Sequence, residues 1–137
     1  MAINTTVKLR NQVMYSIFVR QYSKEGTFAG VKRDLDRIRS LGVDVIWLMP
    51  IHPIGLKNRK GALGSPYAIQ DYRKVNPEFG TLDDFRCLID GIHQRGMKCI
   101  IDVVYNGFLA GKASSGMFFS SGRRFFWESD WRMVRHY

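Results

Sequence analysis

Cysteine and proline are scarce in this chain: two cysteines and four prolines in 137 residues. Cys87 and Cys99 form no CxxC pair; one falls in a helical pattern and the other in an apolar strand. Buried free thiols are therefore expected, rather than a disulfide or a metal site. No apolar run approaches the ~20 residues that a membrane-crossing helix needs. The start, Met1 to Lys8, also lacks the basic region, apolar stretch and small-residue cleavage site of a signal peptide, which makes a cytoplasmic location the default expectation. Acidic residues are few beside basic ones, 12 against 21, for a formal charge of +9. That surplus is scattered rather than gathered on one face. Lys32, Arg33 and Arg37 share a predicted helix with Asp34 and Asp36, the mark of a solvated surface. With no zinc-finger, RRM or helix-turn-helix signature, neither a nucleic-acid nor a membrane partner is expected.

What is present is a repeating alternation of strand and helix. Val13 to Val19 is short, β-branched and aromatic, and reads as a strand. A polar turn over Tyr22 to Gly26 follows. Phe28, Val31, Leu35, Ile38 and Leu41 then recur every three or four residues, the spacing of one helix face. Gly42 stands where a left-handed C-cap favours a residue without Cβ. Val43 to Met49 is almost wholly apolar, as in a parallel strand covered on both faces. Pro50 and Pro53 end it and open a long loop, Ile51 to Gly80; loops of that length within a domain are usually functional. Thr81 is placed to cap a second helix, with Asp83 and Asp84 in its positive first turn. Phe85, Leu88, Ile89 and Ile92 form that helix's buried stripe and Gly96 its stop. Lys98 to Tyr105 reads as a third strand.

Units of this order are joined right-handed and parallel in a layered α/β fold. Pattern alone does not separate a barrel from a doubly wound sheet, but no GxGxxG follows any strand, which weighs against a dinucleotide-binding sheet.

Three segments carry a resemblance. Val43-Asp44-Val45-Ile46-Trp47-Leu48-Met49-Pro50-Ile51 resembles the second barrel strand of the alpha-amylase family of glycoside hydrolases. Gly64-Ser65-Pro66-Tyr67-Ala68-Ile69-Gln70-Asp71-Tyr72, running on through Val75 to Thr81, resembles that family's substrate-facing loop. Asp102-Val103-Val104-Tyr105-Asn106 resembles its first signature motif. The resemblance implies an α/β fold: the first three strands and two helices of a TIM (β/α)8 barrel, incomplete, because such barrels take ~250 residues. It divides the chain into residues 1–106, the N-terminal part of the catalytic barrel, and 107–137, a non-family tail expected to be poorly ordered. It implies that Tyr67 stacks on the sugar, that Asp102 helps hold the site, and that Asn106 is a candidate calcium ligand in the full-length parent. No cofactor is expected for the chain alone. Asp71 and Tyr72 are expected to be structural, His52 a loop residue and His93 a helix-surface one.

Where the family pattern continues with histidine, this chain has Gly107. Retaining glycoside hydrolysis also needs two carboxylates about 5–5.5 Å apart. In this family they come from strands four and five, which have no counterpart here, so no catalytic residue is assigned and the chain is expected to be inactive. From Gly107 onward periodicity stops, and five of the nine phenylalanines and two of the three tryptophans gather there. Read one base later, the codons of Trp127 to Val134 are compatible with Gly-Asn-Arg-Ile-Gly-x-Trp, a run that family members often carry after the first motif. The tail is therefore expected to be translated out of frame.

The leading expectation is a fragment of an enzyme acting on α-glucosidic bonds of starch-like glucans or maltooligosaccharides. The alternatives are a non-catalytic glucan-binding or complementing fragment, and a basic nucleic-acid or membrane-surface protein. In every case an unclosed barrel leaves an edge and inward-facing apolar side chains uncovered.

Overall fold

The computed structural model of the protein describes residues 7–56, 61–104, 126–127 and 133–134. After a helical turn, α1 (Val7–Arg10), the chain enters β1 (Met14–Ile17). Helices α2 (Val19–Tyr22), α3 (Phe28–Arg33) and α4 (Leu35–Ser40) lead to β2 (Val45–Leu48). The long loop then joins α5 (Leu82–Gln94) and β3 (Lys98–Ile101). β1, β2 and β3 pair in parallel and in chain order, with Ile17, Leu48 and Ile101 on one rung.

The alternation of a parallel sheet explains the core. Tyr15, Ile17, Ile46, Leu48, Cys99 and Ile101 share the face covered by the helices. Phe28, Val31, Leu35 and Ile38 meet them from α3 and α4, and Phe85, Leu88, Ile89 and Ile92 from α5. These are the two helical stripes anticipated from spacing, except that Leu41, expected on the first, is exposed. Gly91 lets α5 approach α4 closely: a Cβ there would stand 3.0 Å from a Leu35 methyl. α5 begins with a reciprocal capping box, Thr81 Oγ1 accepting from the Asp84 amide and the Asp84 carboxylate accepting from the Thr81 amide.

Cys87, expected to be a buried thiol, is exposed, and β3 ends at Ile101, short of the expected Tyr105. The structure departs from the sequence expectations at four further places. The first strand stops at Ile17, not Val19, because the extended Phe18 caps α2 and accepts from the Gln21 amide at 3.0 Å. Val19 reaches the core from a helix instead. The first long helix is two helices, broken at Asp34 (φ −101°, ψ 2°), whose carboxylate holds Tyr22 and Arg37. β2 is covered unevenly, since on the side opposite Ile46 and Leu48 Val45 is buried but Trp47 is 38% exposed. Finally, β4 (Phe126–Trp127) lies antiparallel on the outer edge of β3 at Ile100, and β5 (Met133–Val134) pairs with β4. That edge was expected to be bare. The remainder of the 107–137 tail lies outside the described residues.

Candidate functional site

At the C-terminal ends of the parallel strands, two segments converge. One is the chain leaving β3, where the Asp102 amide donates to the Leu48 carbonyl at 2.8 Å, extending the pairing by one rung beyond the strand. The other is the loop after β2. Although it lacks regular structure, this loop is built as a ribbon. Ile54 and Ile69, both buried, form an antiparallel bridge, flanked by Gly55 N–H to Ala68 O and Gln70 N–H to Pro53 O, each 2.8 Å. Its far end is pinned by the buried Asn76, whose amide donates to Ile51 O at 2.7 Å and whose Oδ1 accepts from Glu78 N–H at 3.0 Å. Phe79 then packs edge-on against Phe28, ring centres 5.9 Å apart, and accepts from the Phe28 amide. The loop is thus fastened to the core at both ends.

The ribbon presents Tyr67 to Asp102. The phenol donates to Asp102 Oδ2 at 3.1 Å across 35 positions of sequence. Burial first, and then the Asp102 carboxylate, push the Tyr67 hydroxyl above the ordinary tyrosine range. Its ring remains partly exposed. An exposed aromatic face beside a carboxylate suits a polyhydroxylated ring, whose CH face stacks while its hydroxyls take hydrogen bonds.

The other sequence candidates lie on the same rim with different partners. Asp71 caps a turn, accepting from the Arg73 amide at 2.9 Å, and stands 3.6 Å from the Lys74 ammonium. The Tyr72 hydroxyl donates to Val104 O at 3.0 Å, tying the ribbon to the exit of β3. Asn106, the candidate calcium ligand, lies outside the described residues. Among the described residues no three His, Cys, Asp or Glu side chains gather where they could hold a metal ion.

The contacts of two residues here escaped sequence reasoning. His52 engages the Lys74 carbonyl through Nδ1 at 2.9 Å and lies against the Tyr72 ring, centres 5.9 Å apart. Burial pulls its pKa down, and the Lys74 carbonyl and Asp71 oppose that shift. Arg20, just past β1, donates through Nη1 to the Leu63 carbonyl at 3.1 Å. Both hold main-chain oxygens, so no side-chain motif announces either.

Several of the described cations are engaged with carboxylates. Arg33 pairs with Glu25, Arg37 with Asp34, Arg86 with Asp83 and Arg95 with Asp36. No helix among the described residues is long and apolar enough to cross a membrane.

Comparison with known proteins decides the family, because a model of the alpha-amylase catalytic domain matches residues 9–123. The chain belongs to the alpha-amylase family. A trehalose synthase/amylase from Mycolicibacterium smegmatis is 38% identical over 102 residues, covering 71% of this chain and 16% of the relative. An oligo-1,6-glucosidase from a Bacillus species is 39% identical over the same length, covering 71% and 19%. Among solved structures, an alpha-amylase from Lactobacillus plantarum superposes with a TM-score of 0.71 at 62% identity, covering 72% of this chain and 24% of that one. A maltogenic alpha-amylase from Thermotoga neapolitana gives a TM-score of 0.65 at 40% identity, covering 68% and 23%. This alpha-amylase-family chain therefore spans less than a fifth of the length of those curated relatives. Its three parallel strands and their helices are part of a TIM barrel.

Proposed function

We propose that this chain forms one wall of the sugar cleft of a retaining glycoside hydrolase acting on α-glucosidic bonds of glucans or maltooligosaccharides. The observation that carries this reading is the Tyr67–Asp102 hydrogen bond at the C-terminal rim of β2 and β3. That rim is where TIM-barrel enzymes place their chemistry. The names of the relatives, an oligo-1,6-glucosidase and alpha-amylases among them, support the substrate class. Tyr67 stacks on a glucosyl ring, and Asp102 both holds the phenol and offers its second oxygen to a sugar hydroxyl.

The 137 residues by themselves bind sugar without cleaving it. By the family resemblance, the nucleophile and the acid/base belong to the barrel's fourth and fifth parallel strands, and Gly107 stands where a sugar-binding histidine would be. Calcium in the full-length parent rests on the family resemblance at Asn106 alone, and no step here passes through a metal.

Titration of maltotriose into the purified chain tests the reading. Tyr67→Phe keeps the ring and removes a hydrogen bond worth about 1 kcal/mol, so affinity falls about five-fold; Tyr67→Ala abolishes binding. An unchanged affinity in Tyr67→Ala overturns the assignment, as does release of reducing sugar by the wild-type chain for the predicted lack of cleavage.

The segment from Gly107 is, on the same reading, translated out of frame. The family match runs past Asn106 to residue 123. The support is accordingly the displaced histidine and the shifted reading of Trp127 to Val134, not the edge of the match. The DNA across the Asn106 codon decides it: a single intact frame with no family-like reading beside it refutes the shift.

A further inference from the structure

The rim holds one basic side chain that the sugar-binding reading leaves without a role. Arg20 sits in the first turn of α2, immediately beyond β1. Its Nη1 donates to Leu63 O at 3.1 Å, 43 residues away, and its guanidinium carbon lies 4.9 Å from the centre of the Phe18 ring. Among the described residues, Arg20 Nε is the buried side-chain nitrogen or oxygen with no hydrogen-bond partner. Burying part of a guanidinium in this way is unfavourable unless the rest of the group makes a contact that matters.

We propose that Arg20 is the positioning residue of the ribbon: it tethers the Leu63 carbonyl to the exit of β1 and so holds Tyr67 against Asp102. Naming the ribbon sugar-facing rests on the function proposed above; the tether itself does not.

Both ends of the strut are firm. On the Arg20 side, Val19 is buried and the α2 backbone is pressed by the following turn, where a Cβ on Gly26 would come within 2.7 Å of the Arg20 carbonyl oxygen. On the far side, the Leu63 side chain is exposed and its carbonyl accepts the Arg20 bond. The link from Leu63 to Tyr67 is short and stiff. Gly64 takes a left-handed φ of 64°, Pro66 has its φ locked, Ser65 Oγ accepts from the Tyr67 amide at 3.3 Å, and Ser65 O accepts from the Ala68 amide at 3.1 Å. Beyond Tyr67 the chain enters the Ile54–Ile69 bridge. Tyr67 is therefore the apex of a segment held by Arg20 on one side and by the ribbon on the other.

The test uses the full chain with 13Cζ-labelled tyrosine, following each phenol by NMR through alkaline titration; Tyr67→Phe assigns the signal. In wild type the Tyr67 phenol titrates above the ordinary tyrosine range. In Arg20→Ala it falls back toward that range, while Tyr22, held by Asp34 and Arg37, still titrates at about 12 and reports an intact fold. Arg20→Lys, which keeps one donor, restores part of the Tyr67 shift, a rescue that loss of general packing would not show. Arg20→Ala also weakens maltotriose binding at least as much as Tyr67→Phe does. The proposal is overturned if Tyr67 is unmoved in Arg20→Ala. It is equally overturned if Tyr22 collapses together with Tyr67 in both variants, which would make Arg20 part of the folding core. If Tyr67 moves as expected while the wild-type chain ignores maltotriose, the tether stands and the sugar reading fails.

Discussion

Gly26 takes φ 63° and lies where any Cβ would press on the Arg20 carbonyl. Gly26→Ala thus combines a left-handed strain with a main-chain clash and is expected to destabilise the chain by about 1–3 kcal/mol. A lower urea midpoint at unchanged slope would report it. Tyr22 gives a second residue-level expectation. Burial first, then its bond to Asp34, push the phenol up to about 12 from 10.0. A pKa raised in the folded state means that stability is fully present below the unfolded value and is lost as pH rises through the folded one. The melting temperature should therefore fall between pH 10.0 and about 12, and Tyr22→Phe should flatten that fall. At this scale the sequence singled out Tyr67 and Asp102 by their motifs, and the structure joins the two by a hydrogen bond. It was silent on Arg20 and on what the expected loop residue His52 holds, since their partners are carbonyls 43 and 22 positions away and any residue type supplies a carbonyl.

Periodicity located the buried stripes because the core needs only the apolar face, and Phe85, Leu88, Ile89 and Ile92 are all buried as their spacing implied. It could not show the break at Asp34, since α3 and α4 keep their apolar residues on one side through the interruption; the break follows from the Asp34 carboxylate reaching Tyr22 and Arg37. It also overran β1, because β-branched Val19 suits a strand and a buried helical turn equally. The ribbon of the long loop was beyond reach for another reason: its pairing is a single bridge between Ile54 and Ile69, too short to leave an alternating pattern. The cap of α5, by contrast, was plain in sequence. Thr81→Ala removes the acceptor for the Asp84 amide and is expected to cost about 1 kcal/mol, read as a lower thermal midpoint.

The sheet of the whole molecule has two unlike sides. The helix-covered side is closed, while Met14 and Trp47, on the other, are 51% and 38% exposed. β1 also ends the described sheet without a further neighbour. Apolar surface beside an open strand edge favours self-association. The chain should accordingly enhance the fluorescence of an apolar dye and scatter light at rising concentration. Met14→Lys should reduce both, and a dye-silent monomer would contradict the expectation. The order of the strands has a consequence for how this architecture arises. Because β1, β2 and β3 lie side by side in the order in which they are translated, each strand leaving the ribosome meets a neighbour that is already there. Assembly can then advance from the N-terminus one βα unit at a time, and no early strand waits for a distant partner still to be synthesised.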